Sequence, residues 1–133
     1  MSGPRVLIVD DNLMNLELAN FVLGDAGLVV ESASDATEAL ERIGLFSPDL
    51  ILMDMHLPGM DGLGLTRLIK ADPALRHIVI VAFTASAMKG DEARMLAAGC
   101  DGYLSKPIDV DSFAASVVSH LPASASPSAD ASL

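Results

Sequence analysis

Apolar residues fall into two alternating kinds of run along this chain. Short unbroken runs occur at Arg5–Val9, Leu28–Ser32, Leu50–Met53, Ile78–Phe83 and Gly102–Leu104. They have strand length and, for the most part, β-branched enrichment. Between them the apolar positions spread to helical spacing. Leu16, Ala19, Val22, Leu23 and Ala26 share one face of a helix that Asn12 can cap and Gly27 can end. Asp35 and Glu38 have the spacing of an acidic capping box. They open a helix with Ala36, Ala39, Leu40 and Ile43 turned inward and a stop at Gly44. A third helix runs from about Gly62 to Ala71, ahead of Asp72-Pro73. Met88–Ala98 is helical by propensity but weakly amphipathic, which predicts a loosely held helix. The last helix begins near Asp109, buries Phe113, Ala114, Val117, Val118 and Leu121, and stops at Pro122.

Five strands alternating with five helices across short connections predict an α/β fold, a doubly wound five-stranded parallel sheet with helices on both faces. The strands are apolar without alternation, as expected where both faces are covered. The common order for such a flavodoxin-like (βα)5 unit is 2-1-3-4-5, with strands 1 and 3 at the switch point where these sheets bind ligands. The predicted domain spans residues 1–121. Residues 122–133 form an Ala/Ser-rich tail whose small polar residues cannot bury enough apolar surface to fold.

Composition narrows the classes of function. The chain has 133 residues, enough for one core. No apolar segment is long enough to span a bilayer, and the N-terminal apolar run is too short for a signal peptide. The expectation is a soluble, cytoplasmic protein without membrane insertion. Net charge is −10, and the eight basic residues are scattered from Arg5 to Lys106, which argues against nucleic acid as a partner. Cys100, the single cysteine, has no disulfide partner and reads as a small buried hydrophobe.

The candidate chemistry lies just beyond the strand ends. Asp10 and Asp11 follow the first strand, Asp54 the third, Thr84 the fourth, and Ser105, Lys106 and Pro107 the fifth. In the order 2-1-3-4-5 these strands are successive neighbours, so three carboxylates, a hydroxyl and an ammonium converge on one rim. Capping accounts for an isolated acid such as Asp61 or Asp109, but not for the whole set. Three adjacent carboxylates would force a proton onto one of them unless a cation intervenes. Mg²⁺ suits such an oxygen-only site and keeps waters for a substrate phosphate. Zinc is disfavoured, because His56, His77 and His120 lack ligand spacing and Cys100 stands alone. One Asp could then attack a phosphoryl group while the cation and Lys106 neutralise its oxygens and Thr84 hydrogen-bonds one of them.

The segments VDDN (9–12), LMDMHLPGMDG (52–62), FTA (83–85) and YLSKPI (103–108) together resemble the receiver domain of two-component response regulators, over roughly residues 5–121. The resemblance implies that Asp54 is the phosphoacceptor. Asp11, Asp54 and the main-chain carbonyl of His56 would ligate Mg²⁺, with Mn²⁺ as a substitute, and Asp10 would act directly or through water. Lys106 would pair with the phosphoryl group, placed by a cis Lys106–Pro107 bond. Thr84 and Tyr103 match the family's switch pair, and His56 and Ser86 occupy variable positions flanking the path of hydrolytic water. Implied partners are a histidine kinase or histidine phosphotransfer protein and a downstream protein target. Output would pass through the helix 4–strand 5–helix 5 surface. The implied role is a phosphoacceptor regulator, with at most Mg²⁺-dependent self-phosphorylation from small donors and autodephosphorylation.

Other functions fit less well. A haloacid-dehalogenase-type hydrolase needs a second Asp two residues after its nucleophile, where this chain has His56 after Asp54 and Asn12 after Asp10. A flavodoxin-like carrier would have its flavin phosphate repelled by Asp10 and Asp11. With only a short tail after the last helix, the expectation, if this is the full chain, is a single-domain, stand-alone receiver without an output domain, with a receiver fragment of a hybrid histidine kinase as the alternative.

Overall fold

The computed structural model describes residues 3–55, 57, 62–84, 89–106 and 108–122, with backbone alone at 89–92. Strands β1 (Arg5–Val9), β2 (Val29–Ala33), β3 (Leu50–Asp54), β4 (Val79–Thr84) and β5 (Gly102–Ser105) alternate with five helices. These are α1 (Leu13–Asp25), α2 (Ala36–Phe46), α3 (Gly62–Ala71), α4 (Lys89–Ala98) and α5 (Phe113–His120). Every strand pair is parallel and the order is β2-β1-β3-β4-β5, as the alternation of runs predicted.

Successive residues of a strand point to opposite faces, so each strand feeds two cores. Val6, Ile8, Leu50, Leu52, Val81 and Phe83 pack under α1 and α5. Leu7, Val9, Ile51, Met53, Ile80 and Ala82 pack under α2, α3 and α4. All five side chains of central β3 are buried, whereas the edge strands β2 and β5 are largely half-buried or exposed.

Asn12 caps α1 by accepting from Met14 N at 2.9 Å and Asn15 N at 3.2 Å, and Gly27 follows its end at φ +93°. Asp35 caps α2 through Glu38 N at 2.8 Å. The returning Glu38 carboxylate accepts from Ser34 N at 2.8 Å, one residue earlier than in a regular capping box.

Several boundaries differ from the sequence expectation. Helix α2 passes Gly44 and ends at Ser47, which takes the left-handed conformation at φ 53°. A mid-helix glycine costs only about 1 kcal/mol, so packing of Ile43 and Phe46 carries the helix on. Leu40 faces outward at 42% exposure, because it lies about 100° round the helix from the buried Ala39. Ala26 is likewise exposed, as the cap residue after α1. Asp109 begins a turn instead of the last helix: its carbonyl accepts from Ser112 and Phe113 and its carboxylate from Asp111. Strands β2 and β4 lie one residue further along than their apolar runs, with Ala33 and Thr84 completing the ladders.

Helix α4 buries only Met95 and Ala98 among residues 93–98. Its C-terminal end is nonetheless tied down. Lys70 Nζ donates to the carbonyls of Arg76 (3.2 Å) and Ile78 (2.7 Å) and to Asp101 Oδ2 (2.9 Å). The same Asp101 oxygen accepts from Ile80 N, and Gly99, at φ +110°, packs on the Lys70 stem. No helix among the described residues is long and apolar enough to cross a membrane.

Candidate functional site

Strand β1 delivers Asp10 into the protein. Its N–H continues the ladder by donating to the Ala33 carbonyl at 3.0 Å, and its side chain is fully buried. Asp54 ends β3 opposite Phe83 and is 3% exposed. Asp11, the next residue after Asp10, is exposed. One carboxylate oxygen from each of the three lies within 4.8 Å of the others.

Lys106 follows β5, and its N–H is held by the Thr84 carbonyl at 2.8 Å. Its Nζ sits 3.0 Å from Asp10 Oδ2 and 3.4 Å from Asp54 Oδ1, so one ammonium bridges two buried acids. The cation also lies 5.2 Å from the centroid of the Phe83 ring, close enough for a cation–π attraction. Phe83 is itself fixed by Phe113 of α5, at a centroid separation of 5.7 Å. Thr84 is buried on β4, between β3 and β5.

Two further groups grip Asp10. Its Oδ1 accepts from Asn12 N at 2.9 Å, and its Oδ2 accepts from Asn15 Nδ2 at 3.3 Å. On the far side of Asp54, Gly62 N donates to the Met55 carbonyl at 3.2 Å, and α3 begins there. A Cβ at Gly62 would collide with the Asp54 carbonyl oxygen, so only glycine lets α3 start this close to β3.

The five groups expected at the rim, Asp10, Asp11, Asp54, Thr84 and Lys106, therefore all lie at the same end of four adjacent strands. Tyr103 stands at 37% exposure on β5 opposite Ala82, while Thr84 pairs in register with Ser105. His56, the Pro58-Gly59 turn, Asp61, Ser86, Pro107 and the tail from 123 lie outside the described residues. Phe83 and Gly62 lie within the family motifs, which give them no role, and Asn15 lies outside them. Asn15 has one signal, its place in the first turn of a helix that starts beside Asp10.

Among the described residues, the arrangement sets three carboxylates against a single ammonium. All candidate ligands in the cluster are oxygen atoms, the donor set of a hard divalent cation and not of zinc. Such a rim can present an anionic nucleophile to an electron-poor phosphorus once its charge is neutralised.

Comparison with known proteins points the same way. The family model described as the response regulator receiver domain matches residues 6–118. The polar-differentiation response regulator DivK of Brucella anthropi is 43% identical over 116 residues, covering 87% of this chain and 94% of that protein. The chemotaxis response regulator CheY4 of Vibrio cholerae superposes with a TM-score of 0.85 at 26% identity, covering 90% of this chain and all of the other. The receiver domain of a Pseudomonas aeruginosa sensor histidine kinase is similar at a TM-score of 0.79 and 33% identity. The match covers 90% of this chain and 98% of that one, which holds a magnesium ion coordinated in its active site cleft. With the family's fold, strand order and nearly full-length sequence match in hand, the chain belongs to the receiver domain family of two-component response regulators.

Proposed function

We propose that this receiver is a phosphoacceptor switch in which Asp54 takes a phosphoryl group from a phosphohistidine on a histidine kinase or histidine phosphotransfer protein. The observation that carries the reading is the Lys106 ammonium shared between Asp10 and Asp54, with Asp11 alongside. An Asp54 oxygen attacks phosphorus, the P–N bond breaks, and its electron pair leaves on the imidazole nitrogen. The product is an acyl phosphate.

Asp11, Asp54 and the His56 carbonyl would hold Mg²⁺, with Asp10 directly or through water; the similar kinase receiver, which holds magnesium in its own active site cleft, supports this reading. Bound there, the cation supplies charge neutralisation for the phosphoryl oxygens. Lys106 leaves part of its contact with Asp10 to pair with the phosphoryl group. Thr84 hydrogen-bonds a phosphoryl oxygen, and Tyr103 turns inward in response. The change is read on the α4–β5–α5 surface by a downstream protein. A protein donor is supported by Leu13 and Met14, which stand 67% and 78% exposed in the first turn of α1 beside the acidic rim.

Incubation with acetyl phosphate and Mg²⁺ followed by intact mass measurement tests the reading. Wild type should gain one phosphoryl group and Asp54→Asn none. Equal labelling of both, or no labelling of wild type, would overturn it.

A further inference from the structure

The Asp10 carboxylate is fully buried, and its two oxygens are not equivalent. Among the described residues, Oδ1 accepts from the Asn12 N–H alone, a bond fixed by the backbone. Oδ2 has two side-chain donors, Lys106 Nζ at 3.0 Å and Asn15 Nδ2 at 3.3 Å. These two groups come from opposite ends of the sequence and approach one atom. Asn15 is held for this role, because its own N–H donates to the Asn12 cap at 3.2 Å. Its side chain is half-buried in the first turn of α1.

From this geometry we infer that Asn15 is a positioning residue that shares Asp10 Oδ2 with Lys106 and so leaves the ammonium free to serve Asp54. Buried carboxylate oxygens need donors, and an ammonium that is the sole side-chain donor leaves only by stranding the oxygen it served. With Asn15 present, Oδ2 keeps a hydrogen bond as Lys106 moves toward a group on Asp54. Without Asn15, each step of Lys106 away from Asp10 strips that oxygen of its remaining side-chain donor. The ammonium is then held back on Asp10. The function of this hand-over rests on the phosphoacceptor reading above, but the competition for one oxygen does not.

Two measurements separate those levels. The first is a double-mutant cycle read by thermal melting in EDTA, using Asn15→Leu, Lys106→Met and the double variant. If the two donors compete, Asn15→Leu lowers Tm more in the Lys106→Met background than in wild type. Equal Tm shifts in the two backgrounds would overturn the sharing. The second is the rate of labelling by acetyl phosphate at saturating Mg²⁺. Loss of a hydrogen bond to a charged group predicts a rate about tenfold lower for Asn15→Leu. Asn15→Asp, isosteric but repelling Asp10, should be slower still, and Asn15→Gln should recover part of the rate. Unchanged rates in the Leu and Asp variants, with wild type labelling normally, would overturn the positioning role. Failure of wild type to label would instead overturn the phosphoacceptor reading, leaving the melting cycle to decide the sharing.

Discussion

Lys106 reaches back across the sheet to Asp10, its Nζ 3.0 Å from a carboxylate that has no exposure to solvent. The pair joins the first strand to the residue after the last one, and it is the principal counter-charge of the rim. Removing one member of a buried pair costs about 3–5 kcal/mol when the other stays charged. Lys106→Met should therefore lower Tm in EDTA, and added Mg²⁺ should restore much of the loss. A melt that is unchanged in EDTA would overturn the Lys106–Asp10 pair as a stabilising contact.

Asp11 is the exposed member of the three acids and feels the repulsion of the other two. Asp11→Asn should raise Tm by a few degrees in EDTA while weakening Mg²⁺ binding at least about tenfold. Parallel melts with EDTA and with a Mg²⁺ titration check both directions at once. Opposite signs for stability and affinity are what distinguish a metal site from a surface acid.

Gly62→Ala drives a methyl group against the Asp54 carbonyl and the Met55 backbone. Overpacking of this kind costs about 1–3 kcal/mol. Because the displaced backbone belongs to Asp54, labelling by acetyl phosphate should fall along with Tm. Gly44→Ala, at an open helical position, should leave labelling unchanged and raise Tm slightly.

Burial pushes the Cys100 thiol up from its ordinary value of 9.0, and the neighbouring Asp101 carboxylate adds to the rise. Below that value both folded and unfolded chains keep the proton. Above it the unfolded thiol ionises first, so stability is lost as pH rises from about 9 through the raised folded value. Tm should fall between about pH 8 and pH 10, and Cys100→Ala should flatten that slope. The native thiol should also react slowly with iodoacetamide at pH 8 and quickly in urea.

The strand ends were legible in the sequence because a run such as LILM breaks off sharply at Asp54. Burial on both faces leaves no other place for a charge, and the strand order then assembles Asp10, Asp54, Thr84 and Lys106. Helix ends were less legible. Gly44 looked like a stop, but a helix end depends on which residue can turn left-handed at the right moment, and here that is Ser47. Leu40 lies outside the core, and a two-residue apolar pair, Ala39-Leu40, does not reveal in sequence which member the sheet will cover. The Lys70–Asp101 pair was invisible for a different reason: its members lie 31 residues apart, and separation along the chain leaves no local pattern.

The Lys70 contacts have a mechanical consequence. They fasten the Gly99–Asp101 end of α4, at the end of the sheet away from the carboxylates. The other end of the helix, ~15 Å away, is nearer the Thr84 end of β4. A rod pinned at one end can swing but not slide. Any displacement of α4 is therefore smallest at Gly99 and grows along the helix with distance from the Lys70 contacts.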